Sequence, residues 1–194
     1  MNKSSLSLSE NWEEALQGDV SAFGRIHREL YPLLLHYLLK IIPDEDICQD
    51  ILQDLFVKMW ERKEKFGQIN NVKVYFFKAA RSMAINHIKK HKDHDPLNDD
   101  HQYVNIVFCQ EEIIVDEERN KEAAFVLSSA LNMLPDRQRE MIFLKYFDGW
   151  NYDQIADVTG IRYQSVVNHV HRGIIQLRTV LKSDEHLLRC QIAV

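Results

Sequence analysis

Between Ile47 and Met59 the apolar residues Ile47, Ile51, Leu52, Leu55, Phe56 and Met59 recur at intervals of three and four, which predicts a helix with one buried face. Asp46, Asp50, Gln53 and Asp54 fall together on the opposite side. The rhythm returns from Val72 to Lys92. Val74, Phe77, Ala80, Met83, Ala84 and Ile88 are expected inward, with Tyr75, Phe76, Lys78, Arg81, Asn86, Lys89 and Lys90 interleaved. A run of three aromatics cannot all face one way on a helix, so at least one of residues 75–77 should be exposed. A third apolar series, Val166, Val167, Val170, Ile174, Leu177 and Leu181, follows Tyr163. With six Gly, four Pro and this spacing almost throughout, the chain should be all-α, with little or no sheet.

The segment before that third series is punctuated like a helix-turn-helix. Asn151 and Gln154 form an N-x-x-Q capping box, predicting a short helix that opens near Tyr152 and turns Ile155, Ala156 and Val158 inward. Gly160 should end it, because a tight corner between helices needs a residue tolerant of positive φ, and Ile161 then plugs the corner. Arg162, Gln164, Ser165, Asn168, His169 and Arg172 lie on or beside the outer face of the next helix. From Arg162 to Lys182 there are four bases and no acid, which a merely solvated helix face would not favour. In helix-turn-helix proteins the start of this second helix enters the major groove of duplex DNA.

A net charge of −5 conceals blocks of opposite sign. Residues 44–54 hold five aspartates and glutamates without a base, residues 58–92 hold ten bases against two acids, and residues 93–119 hold nine acids against Arg119 alone. Such blocks suggest separate partners. The basic block interleaves cations with aromatics, a combination suited to single-stranded DNA: cations follow the phosphates and a ring stacks on an unpaired base. The stretch 93–119 contains Pro96 and no sustained helical rhythm before about Glu111, so it reads as an acidic linker. The expected organisation is a helical domain over 10–92, the linker over 93–119, a second helical domain over 120–183, and a C-terminal tail over 184–194 that could extend the last helix.

Other classes find little support. The N-terminus MNKSSLSLSE lacks the apolar stretch of a signal peptide, and no apolar run is long enough to cross a bilayer, so a cytoplasmic protein without membrane insertion is expected. Cys48, Cys109 and Cys190 are odd in number, far apart and without zinc spacing. They should be free thiols. His87, His91, His94 and His101 cluster only loosely, so neither a metal nor a cofactor is expected. The chain has no glycine-rich phosphate loop and no nucleophile motif, which argues against an enzyme.

Asp50-Ile51-Leu52-Gln53-Asp54-Leu55-Phe56-Val57-Lys58-Met59-Trp60 resembles the D-I-V-Q-E-V-F-L-K-L-W signature of region 2 of the sigma-70 family. Residues 75–90 resemble the Y-L-Y-x-x-A-R-N-x-A-I-D-x-x-R-R stretch that follows it, and residues 134–178 resemble region 4. The ensemble looks like a short, two-domain sigma factor of the extracytoplasmic-function (ECF) group, over about residues 15–182. This resemblance implies a non-enzymatic initiation subunit of bacterial core RNA polymerase. Asp46, Gln49, Asp50, Gln53 and Asp54 would dock on the basic coiled coil of the β′ clamp. Asn70, Asn71, Lys73, Tyr75, Lys78, Arg81, Asn86, Lys89 and Lys90 would bind and help melt the minus-ten element of promoter DNA. Arg162, Gln164, Ser165, Asn168, His169 and Arg172 would read the minus-thirty-five element, with region 4 also touching the β flap. The resemblance further implies an anti-sigma partner and a linker directed toward the RNA exit channel.

Two departures from the family pattern bear on recognition. Many relatives carry Lys and Arg where this chain has Val167 and His169, and Ser82 replaces a common Asn. A competing reading is a two-domain regulator with an N-terminal sensing domain and a C-terminal helix-turn-helix. It leaves the acidic helix followed by a basic, aromatic one unexplained.

Overall fold

The structure, a computed structural model, describes residues 7–66, 69–91, 104–109, 113 and 119–191. Helices account for nearly all of the described residues, and no strand occurs among them. The chain divides into two compact units whose main boundary falls between residues 101 and 102.

The first unit holds α1 (Leu8–Leu16), α2 (Val20–Ile41), α3 (Glu45–Glu61), a 3-10 turn (Lys63–Lys65) and α4 (Val72–His91). Its helix starts are set by side chains that accept otherwise unpaired backbone N–H groups. Ser7 and Glu10 form a capping box on α1, Asp19 accepts from Ser21 and Ala22, and Asp44 accepts from Ile47. α2 carries Pro32 on its exposed side while burying Ile26, Leu30, Leu34, Tyr37 and Leu38. α4 is buried on two sides. Phe76 meets Trp12 of α1 edge-on at 6.0 Å and Phe56 of α3 at 5.3 Å, whereas Phe77 meets Tyr37 of α2 at 5.4 Å. Phe76, expected between the inward positions, is therefore core. Tyr75 is the partly exposed member of the aromatic run.

The second unit holds α5 (Arg119–Asn132), α6 (Asp136–Ile142), a π-helical turn (Phe143–Phe147), α7 (Tyr152–Thr159) and α8 (Tyr163–Gln191). Asn151 and Gln154 make the expected reciprocal cap on α7, at 2.8 and 3.0 Å. Gly160 ends that helix at φ 73°. Ile155 and Val158 are fully packed and Ala156 half-buried, and Val166 and Val170 anchor α8 to the core. α6 crosses α8 at Gly173, where a Cβ would lie 2.6 Å from Ile142 Cδ1 and 3.4 Å from Gln138 Cβ. Glycine there lets the two helices approach closely. Helix α8 continues through Gln191, so most of the expected tail extends the helix.

Within the expected linker, residues 104–109 are packed in the second unit. Val104, Ile106 and Phe108 are buried, whereas Asn105, Val107 and Cys109 are exposed. Its burial alternates with a period of two, which escapes a search for helical rhythm, and the Ile106 N–H donating to the Val104 carbonyl at 3.2 Å folds it into a tight turn at Asn105. Residues 93–103 lie outside the described residues.

Candidate nucleic-acid interface

The acidic face of α3 has the expected form. Asp46, Gln49, Asp50, Gln53 and Asp54 are all exposed, opposite the buried row Ile51, Leu52, Leu55, Phe56 and Met59. Local pairs hold some of its members in place: Gln49 Nε2 donates to Glu45 Oε1 at 3.0 Å, and Lys58 Nζ donates to Asp54 Oδ2 at 3.2 Å. An exposed pair of that kind adds little stability, but it orients the carboxylate.

α4 sorts its candidates more sharply than the sequence does. Asn71, Tyr75, Lys78, Ser82, Asn86 and Lys89 follow one another at steps of three and four along a single solvent-facing stripe, with Lys90 beside its end. Asn71 Oδ1 also caps α4 by accepting from the Val74 N–H at 3.1 Å. The Tyr75 ring leans on Phe66 at 5.5 Å, and burial raises its phenol above the ordinary value. Asn70 is exposed just ahead of the stripe. Lys73 is half-buried, with its ammonium 5.7 Å from the Phe77 ring centroid. Arg81 does not join the stripe: it is buried at 5% exposure. The core on both sides of α4 claims the position. Asp50, Gln53, Asp54 and Lys58 of α3 face Met83, Asn86, His87 and Lys90 of α4 across a groove of about 600 Å³ floored by Ile47 and Ile51.

In the second unit, Arg162, Gln164, Asn168 and Arg172 are exposed on the corner and first turns of α8, with Ser165 and His169 half-buried beside them. Gln164 Nε2 donates to Asn168 Oδ1 at 3.3 Å, and Tyr163 packs edge-on to Tyr152 across the turn. Burial holds His169 below the ordinary imidazole value, and Arg137 of α6 and Arg172 push it the same way. Sequence reading missed Arg137. Its nearness to His169 comes from the α6–α8 crossing, and no local periodicity encodes that crossing.

Family models for sigma-70 region 2 and sigma-70 region 4 match residues 26–94 and 124–177, in that order. The chain belongs to the sigma-70 family of RNA polymerase sigma factors. Its relatives place it among ECF members. It is 25% identical over 137 residues to the ECF RNA polymerase sigma factor SigM of Bacillus subtilis, covering 69% of this chain and 81% of SigM. It is 24% identical over 172 residues to SigL of Mycobacterium tuberculosis, covering 86% of this chain and 95% of SigL. The sigma factor RpoE of Bartonella quintana, solved with the anti-sigma factor NepR, shares the fold at a TM-score of 0.59 and 24% identity, covering 85% of this chain and 99% of that one. This sigma factor thus carries region 2 in the half that the regulator reading assigned to sensing, and that reading is not favoured. No helix among its described residues is long and apolar enough to cross a membrane.

Proposed function

We propose that this ECF sigma factor docks on bacterial core RNA polymerase through the acidic face of α3, takes the minus-ten strand on the α4 stripe, and reads the minus-thirty-five duplex with the start of α8. The observation that carries this reading is the juxtaposition in the first unit: an acidic helix face and a cationic, aromatic stripe flank one groove. One face suits a basic protein surface and the other suits phosphates and unpaired bases. Asp46, Gln49, Asp50, Gln53 and Asp54 form the docking set for the β′ clamp coiled coil. Asn70, Asn71, Tyr75, Lys78, Asn86, Lys89 and Lys90 form the minus-ten set, with Lys73 at its edge and Arg81 left to helix packing. Arg162, Gln164, Ser165, Asn168, His169 and Arg172 form the minus-thirty-five set, and the rest of region 4 meets the β flap. The protein works in the cytoplasm by binding rather than catalysis, without a cofactor, and an anti-sigma protein restrains it, as the complex of the Bartonella relative suggests.

Charge inversion tests the docking claim. Asp50→Arg is the cleaner variant, because Asp54→Arg would also place two cations at i,i+4 beside Lys58. It should cost no more than about 0.5 kcal/mol of stability, as exposed changes usually do. Affinity for core polymerase should fall at least tenfold; unchanged affinity with a normal melting curve defeats the assignment.

A further inference from the structure

Residues 104–109 fall between the two family matches and carry no charge, although acidic stretches lie on both sides. They present Val104, Ile106 and Phe108 inward and Asn105, Val107 and Cys109 outward, with a tight turn at Asn105 where the Ile106 N–H donates to the Val104 carbonyl at 3.2 Å. One side chain holds both backbone polar groups of Phe108. Its N–H donates to Asn132 Oδ1 at 2.9 Å, and its carbonyl accepts from Asn132 Nδ2 at 3.0 Å. This pincer reads main chain and is indifferent to sequence. The Phe108 ring supplies the selectivity, lying 4.9 Å from Phe147 and 5.9 Å from Phe143. Those two rings belong to the π-helical turn, and their planes differ by only 11°.

We propose that Asn132, Phe143 and Phe147 form a cradle for a short apolar peptide that carries an aromatic residue at its fifth position, and that the chain's own residues 104–109 are its exchangeable occupant. The pattern it selects is a β-branched residue, any residue, a second β-branched residue, any residue, then Phe. Tethering gives the resident segment an effective concentration of about millimolar, so a competing peptide must exceed that to displace it.

Hydrogen exchange on the full-length chain is the first test. The amides of 104–109 should be protected, and Asn132→Ala should speed their exchange at least tenfold while leaving α7 and α8 unchanged. A labelled hexapeptide copying residues 104–109 should ignore the wild-type chain below about millimolar. It should bind the Ile106→Ser, Phe108→Ser variant, and adding Asn132→Ala should abolish that binding. If the double variant fails to fold by circular dichroism, the wild-type chain carries the test: excess unlabelled hexapeptide should accelerate exchange at 104–109, and a scrambled one should not. Unprotected amides in the wild type, exchange indifferent to Asn132→Ala, or no effect of excess peptide overturns the proposal.

Discussion

His169 shows how one side chain can report on a whole interface. Burial, then Arg137 and Arg172, keep its imidazole neutral below the usual 6.5. The unfolded chain therefore takes up the proton first as pH falls, and the stability this residue contributes above 6.5 is lost as pH drops through the folded value. A DNA phosphate arriving beside the same imidazole acts in the opposite direction, because an anion favours the charged form. Binding to minus-thirty-five DNA by the polymerase-bound protein should thus take up a proton and tighten between pH 7.5 and pH 6. His169→Ala should flatten that profile in gel-shift titrations; an unaltered profile would remove the imidazole from the interface. Cys48 makes the contrasting case. Burial, followed by Asp44 and Glu45, pushes its thiol up to about 11, and its Sγ donates to the Ile42 carbonyl at 3.3 Å. At pH 8 only about one thiol in a thousand is ionised. A thiol-specific reagent should leave Cys48 unlabelled until denaturant is added, as peptide mapping would show.

At the scale of the elements, capping and crossing matter most. Asn151→Ala removes a side-chain acceptor and half of a reciprocal cap, so it should cost about 1 kcal/mol in denaturant melts. Gly173→Val would drive two methyl groups into Ile142 and Gln138 and should cost more, about 1–3 kcal/mol, with Arg137 moved away from His169. Its signature would be a raised His169 pKa by NMR. The two positions differ in how openly the sequence announces them. The cap lies within four residues and is legible, as are Gly160 and the stripe of α3. The need for glycine at 173 resides in α6 and is invisible locally. α4 was half legible for a related reason: Phe76 and Phe77 are both buried because Trp12 and Tyr37 approach from different sides, so no single apolar face exists to be read. The burial of Arg81 was hidden with it. Residues 104–109 were hidden by composition, since the acids around them suggested a linker while their own alternation has the period of a strand.

On the scale of the whole molecule, a fragment of residues 102–194 should melt at least about 10 °C above one of residues 120–194, which lacks Val104, Ile106 and Phe108. Losing a buried Phe alone costs about 3–5 kcal/mol, and each kcal/mol moves the midpoint of a domain this size by roughly 4–8 °C. Equal midpoints by calorimetry would make the segment ornamental. In the first unit, strand capture should be separable from upstream binding: Tyr75→Ala with Lys78→Ala should impair opening of a duplex promoter, and a pre-melted minus-ten bubble should restore transcription. Permanganate reactivity of bubble thymines checks the first outcome and run-off yield the second. The groove between α3 and α4 has a consequence of its own. Asp50 and Asp54 line it together with Asn86 and Lys90, so the carboxylates of the acidic face and part of the stripe share one groove. On the proposed reading those carboxylates should disfavour the backbone of DNA in the free protein, and a basic partner laid over them should lift that penalty. The two surfaces should therefore be coupled, and such coupling is reciprocal: docking would strengthen strand binding by the same factor by which strand binding strengthens docking, within the usual 5- to 150-fold. Neutralising Asp50 and Asp54 to Asn should then raise the free protein's affinity for a minus-ten oligonucleotide, and unchanged affinity in a filter-binding titration would break the link between the two faces.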